Sequence, residues 1–156
     1  PAFYIHSLLA TENDLERVEH TGRLRSINRS QWQLDDLEQK LADPLSHHSK
    51  AFQEMKRSIA IRRKQPAFHP NATQFTLHLG LQLFGFWRQS MRRDQSIFCI
   101  HNISNEVQQV ALSDINLIGT DHWQDLISGM TIDDLSGSIT LKPYQSVWLS
   151  NLEVTV

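Results

Sequence analysis

The stretch Thr11 to Arg29 holds the densest set of side chains able to do chemistry. It gathers Glu12, Asn13, Asp14, Glu16, Arg17, Glu19, Arg23, Arg25, Asn28 and Arg29 around Gly22. Carboxylates accept hydrogen bonds, guanidiniums donate them, and amides do both. That mixture suits sugar hydroxyls, each of which donates and accepts. It equally suits a solvated loop held by its own salt bridges, and the spacing alone leaves both open.

The other constellations carry less. Eight histidines invite a metal, but none stand at i, i+4 with a glutamate between them. His47 and His48 are adjacent and are expected to face different ways. With a single cysteine and no ligand spacing, no metal is expected. No Gly-rich phosphate loop follows a strand and no G-x-S-x-G elbow occurs, so no cofactor and no nucleophile are assigned. The acid pairs Asp35-Asp36 and Asp133-Asp134 read as solvent-facing. Of the tryptophans Trp32, Trp87, Trp123 and Trp148, Trp87 and Trp148 fall inside strand patterns and read as core.

The elements that must position these residues change period midway. Pro1 to Ala10 is apolar almost throughout, which predicts a strand buried on both faces. No repeated βαβ pattern supplies it with neighbours, which hints at a missing part. Thr11 to Arg29 reads as a long loop with a helical turn. Ser30 is expected to cap a helix carrying Leu34, Leu37 and Leu41, stopped by Asp43-Pro44. Ser46 is expected to cap a second helix carrying Phe52, Met55 and Ile59, ended by Pro66. Beyond it lie the strand-like runs 75–79, 81–88, 96–101, 107–112, 138–141 and 146–149. Turn signals such as His101-Asn102, Ser136-Gly137 and Lys142-Pro143 separate them. Short strands at this spacing predict an antiparallel sandwich or barrel-like sheet. The switch falls near Pro66 to Pro70.

The whole is 156 residues, enough for a good core, with 40% apolar residues and a formal charge of −2. Mixed charges give no electrostatic reason to expect nucleic acid or an anionic membrane. The basic runs Lys56-Arg57, Arg62-Arg63-Lys64 and Arg92-Arg93 read as solvated faces. No run reaches the roughly 18 apolar residues a bilayer span needs, and no signal peptide is apparent. Cys99 lies in an apolar run and reads as core, and a chain without disulfides suits the cytoplasm. The sequons at Asn28, Asn71 and Asn102 are best explained by chance. A chain beginning with Pro1 is expected to be a processed product or a piece of something longer.

Three motifs are similar to a known family. Pro1 to Asp14 (PAFYIHSLLATEND), with Glu19-His-Thr-Gly-Arg23 and Ser26-Ile-Asn-Arg29, resembles the end of the catalytic barrel of sucrose phosphorylases and glucosylglycerate phosphorylases, in glycoside hydrolase family 13 of the alpha-amylase superfamily. Ile61 to Phe68 (IRRKQPAF) resembles the helix end leading into their C-terminal domain. Leu83 to Arg88, Asp125 to Gly129, and Leu141 to Gln145 with Trp148-Leu149 are similar to strands of that all-β domain.

The resemblance implies an α+β fragment. Residues 1–66 would hold the last strand, active-site loop and helices of a (β/α)8 barrel. Residues 67–156 would form an antiparallel all-β C-terminal domain. It implies retaining α-glucosyl transfer from sucrose or a related α-glucoside to phosphate, with all catalytic carboxylates upstream of Pro1. It places Asp14 at the acceptor sugar, with Asn13 and Arg17 in the same loop, and Arg62 near the phosphate. The alternative for Arg62 is a cation opposing the dipole of its helix. Expected partners are the α-glucoside, phosphate and the upstream barrel. The chain alone is expected to be inactive and to form a homo-oligomer or aggregate through exposed apolar surface. Two alternatives remain: an amylase-like hydrolase, and a non-catalytic β-domain that binds carbohydrate or stabilises a partner.

Overall fold

A computed structural model describes residues 2–115 and 122–152. The chain divides into two compact units, Pro1–Ala60 and Ile61–Val156.

The first unit is helical. The apolar run at the N-terminus is not a strand: Ile5–Leu8 forms a single helical turn, α1, with Phe3, Tyr4 and Ile5 exposed. A strand buried on both faces needs strands on either side, and this unit has none among its described residues. The expected loop is more ordered than its sequence suggests. Asp14 starts α2 (Leu15–Thr21), its carboxylate accepting the Arg17 amide at 2.9 Å. Gly22 ends α2 in the left-handed conformation, φ 63°, which glycine adopts without strain. A 3-10 turn follows at Leu24–Asn28.

Helix α3 (Leu34–Ala42) has Gln33, not Ser30, at its N-cap, and no side chain caps it. The Ser30 hydroxyl instead reaches the Glu12 carbonyl at 3.5 Å. Ser46 does cap α4 (His47–Arg63), accepting the His48 amide at 3.2 Å. The apolar stripes stay shallow: Leu34 is exposed, and Leu37, Leu41, Phe52, Met55 and Ile59 are only half-buried.

The second unit is an antiparallel sandwich. Its large sheet runs β1 (Thr73–Leu77), β2 (Leu83–Gln89), β3 (Ser96–Asn102), β8 (Ser146–Ser150), β5 (Trp123–Asp125), β6 (Thr131–Ile132), in that spatial order. Its small sheet pairs β4 (Gln108–Ala111) with β7 (Ser138–Leu141). Every pairing is antiparallel. The apolar run of β3 is central and divides between two cores. Phe98 and Ile100 point to the core between the sheets, with Leu83, Val110, Ile139, Leu141, Val147 and Leu149. Ile97 and Cys99 point to the opposite face, with Ala67, Phe68 and Leu126, and with Ile61 from the end of α4. The period-2 alternation of a strand thus explains a run that reads as uniformly apolar.

Gly85 of β2 is there for space. A Cβ at this position would lie 2.8 Å from Leu79 Cδ1 and 3.3 Å from Leu77 Cβ.

Buried polar groups stitch the sandwich. Gln95 is enclosed and accepts the Ala67 amide, while its Nε2 donates to Gln65 and Ser150. Asn102 donates to the carbonyls of Glu106, Leu141 and Lys142 and accepts from Ser104. Buried and fully engaged in this way, Asn102 is a structural residue rather than a surface sequon.

Candidate functional site

The segment expected to carry chemistry is held by a set of local bonds. The Asp14 amide donates to the Ile27 carbonyl at 2.7 Å, folding the start of α2 against the 3-10 turn. Tyr4 donates from its hydroxyl to the Asn28 carbonyl at 2.8 Å. The Thr21 hydroxyl donates to the Arg17 carbonyl and lies 3.1 Å from the buried Ser26 hydroxyl. Trp32 Nε1 donates to the Thr11 hydroxyl at 2.9 Å. Polar residues whose sequence shows no periodicity therefore become ordered through long-range partners.

Two concavities result. One, of about 350 Å3, is lined by Glu12, Asn13 and Asp14 from the segment before α2, by Ser30, Gln31 and Trp32, and by Lys40, His47 and His48. It offers an aromatic surface, carboxylates and amides together, the mixture that sugar rings and hydroxyls use. Among the described residues, one oxygen of Asp14 is engaged, by the Arg17 amide. The two histidines do not diverge as expected. At the first turn of α4 their rings lie 3.8 Å apart. His48 is buried, with Nδ1 2.8 Å from the Leu9 carbonyl, and His47 reaches Glu12 at 3.8 Å. His48 also meets the edge of Trp32 at 5.0 Å.

The other concavity, of about 610 Å3, is lined by Arg17, Thr21, Arg23, Arg25, Ser26 and Arg29. Arg17 donates from Nη1 to the Arg29 carbonyl at 3.0 Å.

The structure thus brings Asn13 and Asp14 into one cleft and places Arg17 in its neighbour. Arg62 lies in the other unit, in the last turn of α4. Its guanidinium stands 4.4 Å above the Phe68 ring, and Phe68 in turn packs edge-on against Trp148 at 5.1 Å. Burial and the nearby Arg62 charge together hold Arg88 below its ordinary value. The stacking of Arg62 on an aromatic face was not legible from helix spacing. It predicts that Arg62→Ala lowers unfolding free energy by about 1 kcal/mol, and that Lys recovers little of it. Urea denaturation of the two variants checks this, and a Lys variant as stable as wild type would overturn the stacking role.

Tryptophans form no exposed platform on the sheets. Trp123 is buried, and Trp87 and Trp148 are half-buried against the two cores. Among the described residues, no three His, Cys, Asp or Glu side chains gather as a metal-ligand set, and no helix is long and apolar enough to cross a membrane.

No family model matches the chain. Curated relatives do. A glucosylglycerate phosphorylase of Spirochaeta thermophila is 34% identical over 96% of this chain, and those of Escherichia coli and Allomeiothermus silvanus are 30% and 33% identical over the same share. The chain spans about a quarter of the length of these relatives: 27%, 25% and 24%. The matched quarter is their C-terminal portion. Among solved structures, AmyP in complex with maltose aligns over 80% of this chain and 24% of its own, with TM-score 0.63 and 17% identity. The alpha-amylase of Geobacillus thermoleovorans with acarbose aligns over 83% and 26%, with TM-score 0.60 and 17% identity. At these identities the likeness is one of fold.

Proposed function

On the premise that this chain is the counterpart of the C-terminal portion of glucosylglycerate phosphorylases, we propose that the protein carrying it transfers an α-glucosyl group to phosphate with retention. The donor would be a glucosylglycerate-type α-glucoside or sucrose. The similarity along 96% of the chain to three such phosphorylases is the observation that carries this reading.

In it, the first unit ends the catalytic barrel and the second is the C-terminal β-domain, with the boundary expected at Pro66 in the linker. The carboxylates of double displacement belong to the upstream part, one as nucleophile and one as acid then base, with phosphate replacing water in the second step. Asp14 and Asn13 serve the acceptor side of the cleft they share with Trp32. Arg17 and Arg62 contact oxyanions or brace the groups that do. The exposed Phe3, Tyr4, Ile5, Leu15, Leu24 and Leu34 make an apolar surface that the upstream barrel would cover. The protein acts in the cytoplasm and needs no metal.

The test is release of glucose 1-phosphate from glucosylglycerate or sucrose with phosphate, by the intact protein and by the 156-residue chain alone. The intact protein is expected to release it and the isolated chain none. Free glucose formed at the same rate without phosphate would make the protein an amylase-like hydrolase. No cleavage under either condition would return the β-domain to a binding role.

A further inference from the structure

The segment that carries Asn13 and Asp14 into their cleft is pinned by two aromatic side chains distant in sequence. We propose that His48 and Trp32 are positioning residues: they hold the chain around a strained Ala10 and so set where Asn13 and Asp14 stand toward the acceptor. The inference rests on the reading above for the acceptor role of the cleft, and on geometry alone for the pinning.

Ala10 adopts φ 49°, in the left-handed region that a Cβ disfavours. Backbone of this kind persists only where its surroundings over-determine it, and it collects at sites where the chain must be re-aimed. The surroundings here are specific. Before Ala10, the carbonyl of the buried Leu9 lies 2.8 Å from His48 Nδ1. A carbonyl only accepts, so Nδ1 carries the proton. After Ala10, the Thr11 hydroxyl accepts Trp32 Nε1 at 2.9 Å, and the Thr11 amide donates to the His6 carbonyl at 2.8 Å. The two holders brace each other, the rings of Trp32 and His48 meeting edge to face at 90° and 5.0 Å. His48 is 4% exposed, and its own amide donates to Ser46 Oγ at the start of α4.

The far end of the segment is tied as well, through the Asp14 amide to the Ile27 carbonyl at 2.7 Å. Asn13 therefore lies on a short span fixed at both ends, in the cleft that Trp32 and His48 also line. Without the first pin, Ala10 can relax toward negative φ, which re-aims the span. Small displacements of groups that orient a reactant are costly to its binding and reaction. Spacing could not reveal this pair, since 39 positions separate Leu9 from His48.

The test uses the intact protein. His48→Asn keeps an N–H donor close to the place of Nδ1, and His48→Leu keeps bulk without a donor. The Ala10, Thr11 and Asp14 amides are all bonded in the fold. Their hydrogen exchange is expected to quicken about tenfold in His48→Leu and to stay near wild type in His48→Asn. In synthesis from glucose 1-phosphate, the KM for glycerate is expected to rise about tenfold in His48→Leu with little change in kcat, and His48→Asn should restore most of it. Unchanged exchange in His48→Leu, a fall in kcat with KM unmoved, or an Asn variant no better than Leu overturns the positioning role. Should His48→Leu melt early, Thr11→Val removes the other pin and must shift exchange and KM in the same direction; no shift overturns the proposal. A wild type that transfers no glucosyl group would remove the phosphorylase reading, and exchange alone would then decide whether His48 holds the segment.

Discussion

Replacing Asp125 by alanine is expected to lower the unfolding free energy of the β unit by about 3 kcal/mol or more, roughly a 10 °C fall in melting temperature. Asp125 is 1% exposed. Its Oδ1 accepts the amides of Ile127 and Trp148, at 3.1 and 2.8 Å. Its Oδ2 accepts the amide and hydroxyl of Ser128, at 3.1 and 2.6 Å. The carboxylate therefore joins the turn after β5 to the backbone of β8. Alanine would leave several amide donors without a partner in a place water cannot reach, and an orphaned buried donor costs more than a formed bond contributes. Asn keeps one carbonyl acceptor and is expected to lose about half as much. Guanidinium denaturation followed by tryptophan fluorescence gives both values. A loss under about 1 kcal/mol for the alanine variant would mean that water replaces the carboxylate.

The second large effect concerns Cys99, which is fully enclosed in the face of the large sheet carrying Ile97, Ala67 and Phe68. Burial pushes its thiol up to about 12 from an ordinary 9.0, against the smaller opposing pull of Arg62 and Arg88. The reactive species is the thiolate. At pH 8 its population is then about a thousandfold below that of an exposed cysteine, before access is counted. Native protein is expected to react with an aromatic disulfide reagent at least a thousandfold more slowly than protein in denaturant. Fast native labelling would contradict the packing.

The same shift has a sign in stability. The folded state holds the proton more tightly than the unfolded state. The contribution is complete below the unfolded value near 9 and is lost as pH rises toward 12. Compared with Cys99→Ala, wild type is expected to lose stability over that window by about 1.4 kcal/mol per pH unit. Parallel curves for the two proteins would show that the thiol titrates normally.

Legibility varied by element. β3 and β7 were readable because alternation and flanking turns are local signals, and the observed strands Ser96–Asn102 and Ser138–Leu141 follow them closely. Period alone missed β5 and β6, and Asp125 to Gly129, similar to a strand of the family's β-domain, is instead the turn that follows β5, with only Asp125 in the strand. At three and two residues, neither strand is long enough to show a period, and β5 is held in the sheet by β8 and by the Asp125 carboxylate. Ser30 resembled a helix cap in sequence, yet its hydroxyl reaches Glu12. The run from Pro1 to Ala10 carried a strand composition, but among the described residues its unit holds no sheet, and Ile5–Leu8 forms a short helix, which satisfies its own backbone.

The candidate site was half legible. The residue types of Thr11 to Arg29 suited sugar hydroxyls and a self-braced loop alike, and α2 begins after Asp14 because an aspartate at that position caps a helix. The separation of that segment into an Asn13–Asp14 cleft and an arginine cavity was not written in spacing. It follows from Gly22 reversing the chain and from bonds between residues as distant as Tyr4 and Asn28. The position of Arg62 over Phe68 likewise depends on the 3-10 turn at Pro66–Phe68 that follows α4.

By itself the sequence determined the class of each half: helical with a charged segment first, antiparallel β second. Hydrophobic period and turn residues are properties of neighbouring positions, so they survive without a fold. Only the tertiary structure decided which charges share a cavity, which carboxylate is buried, and which apolar run is divided between two cores. Those outcomes depend on contacts between residues far apart in the chain, where burial fixes the cost of every unpaired charge and every unfilled bond.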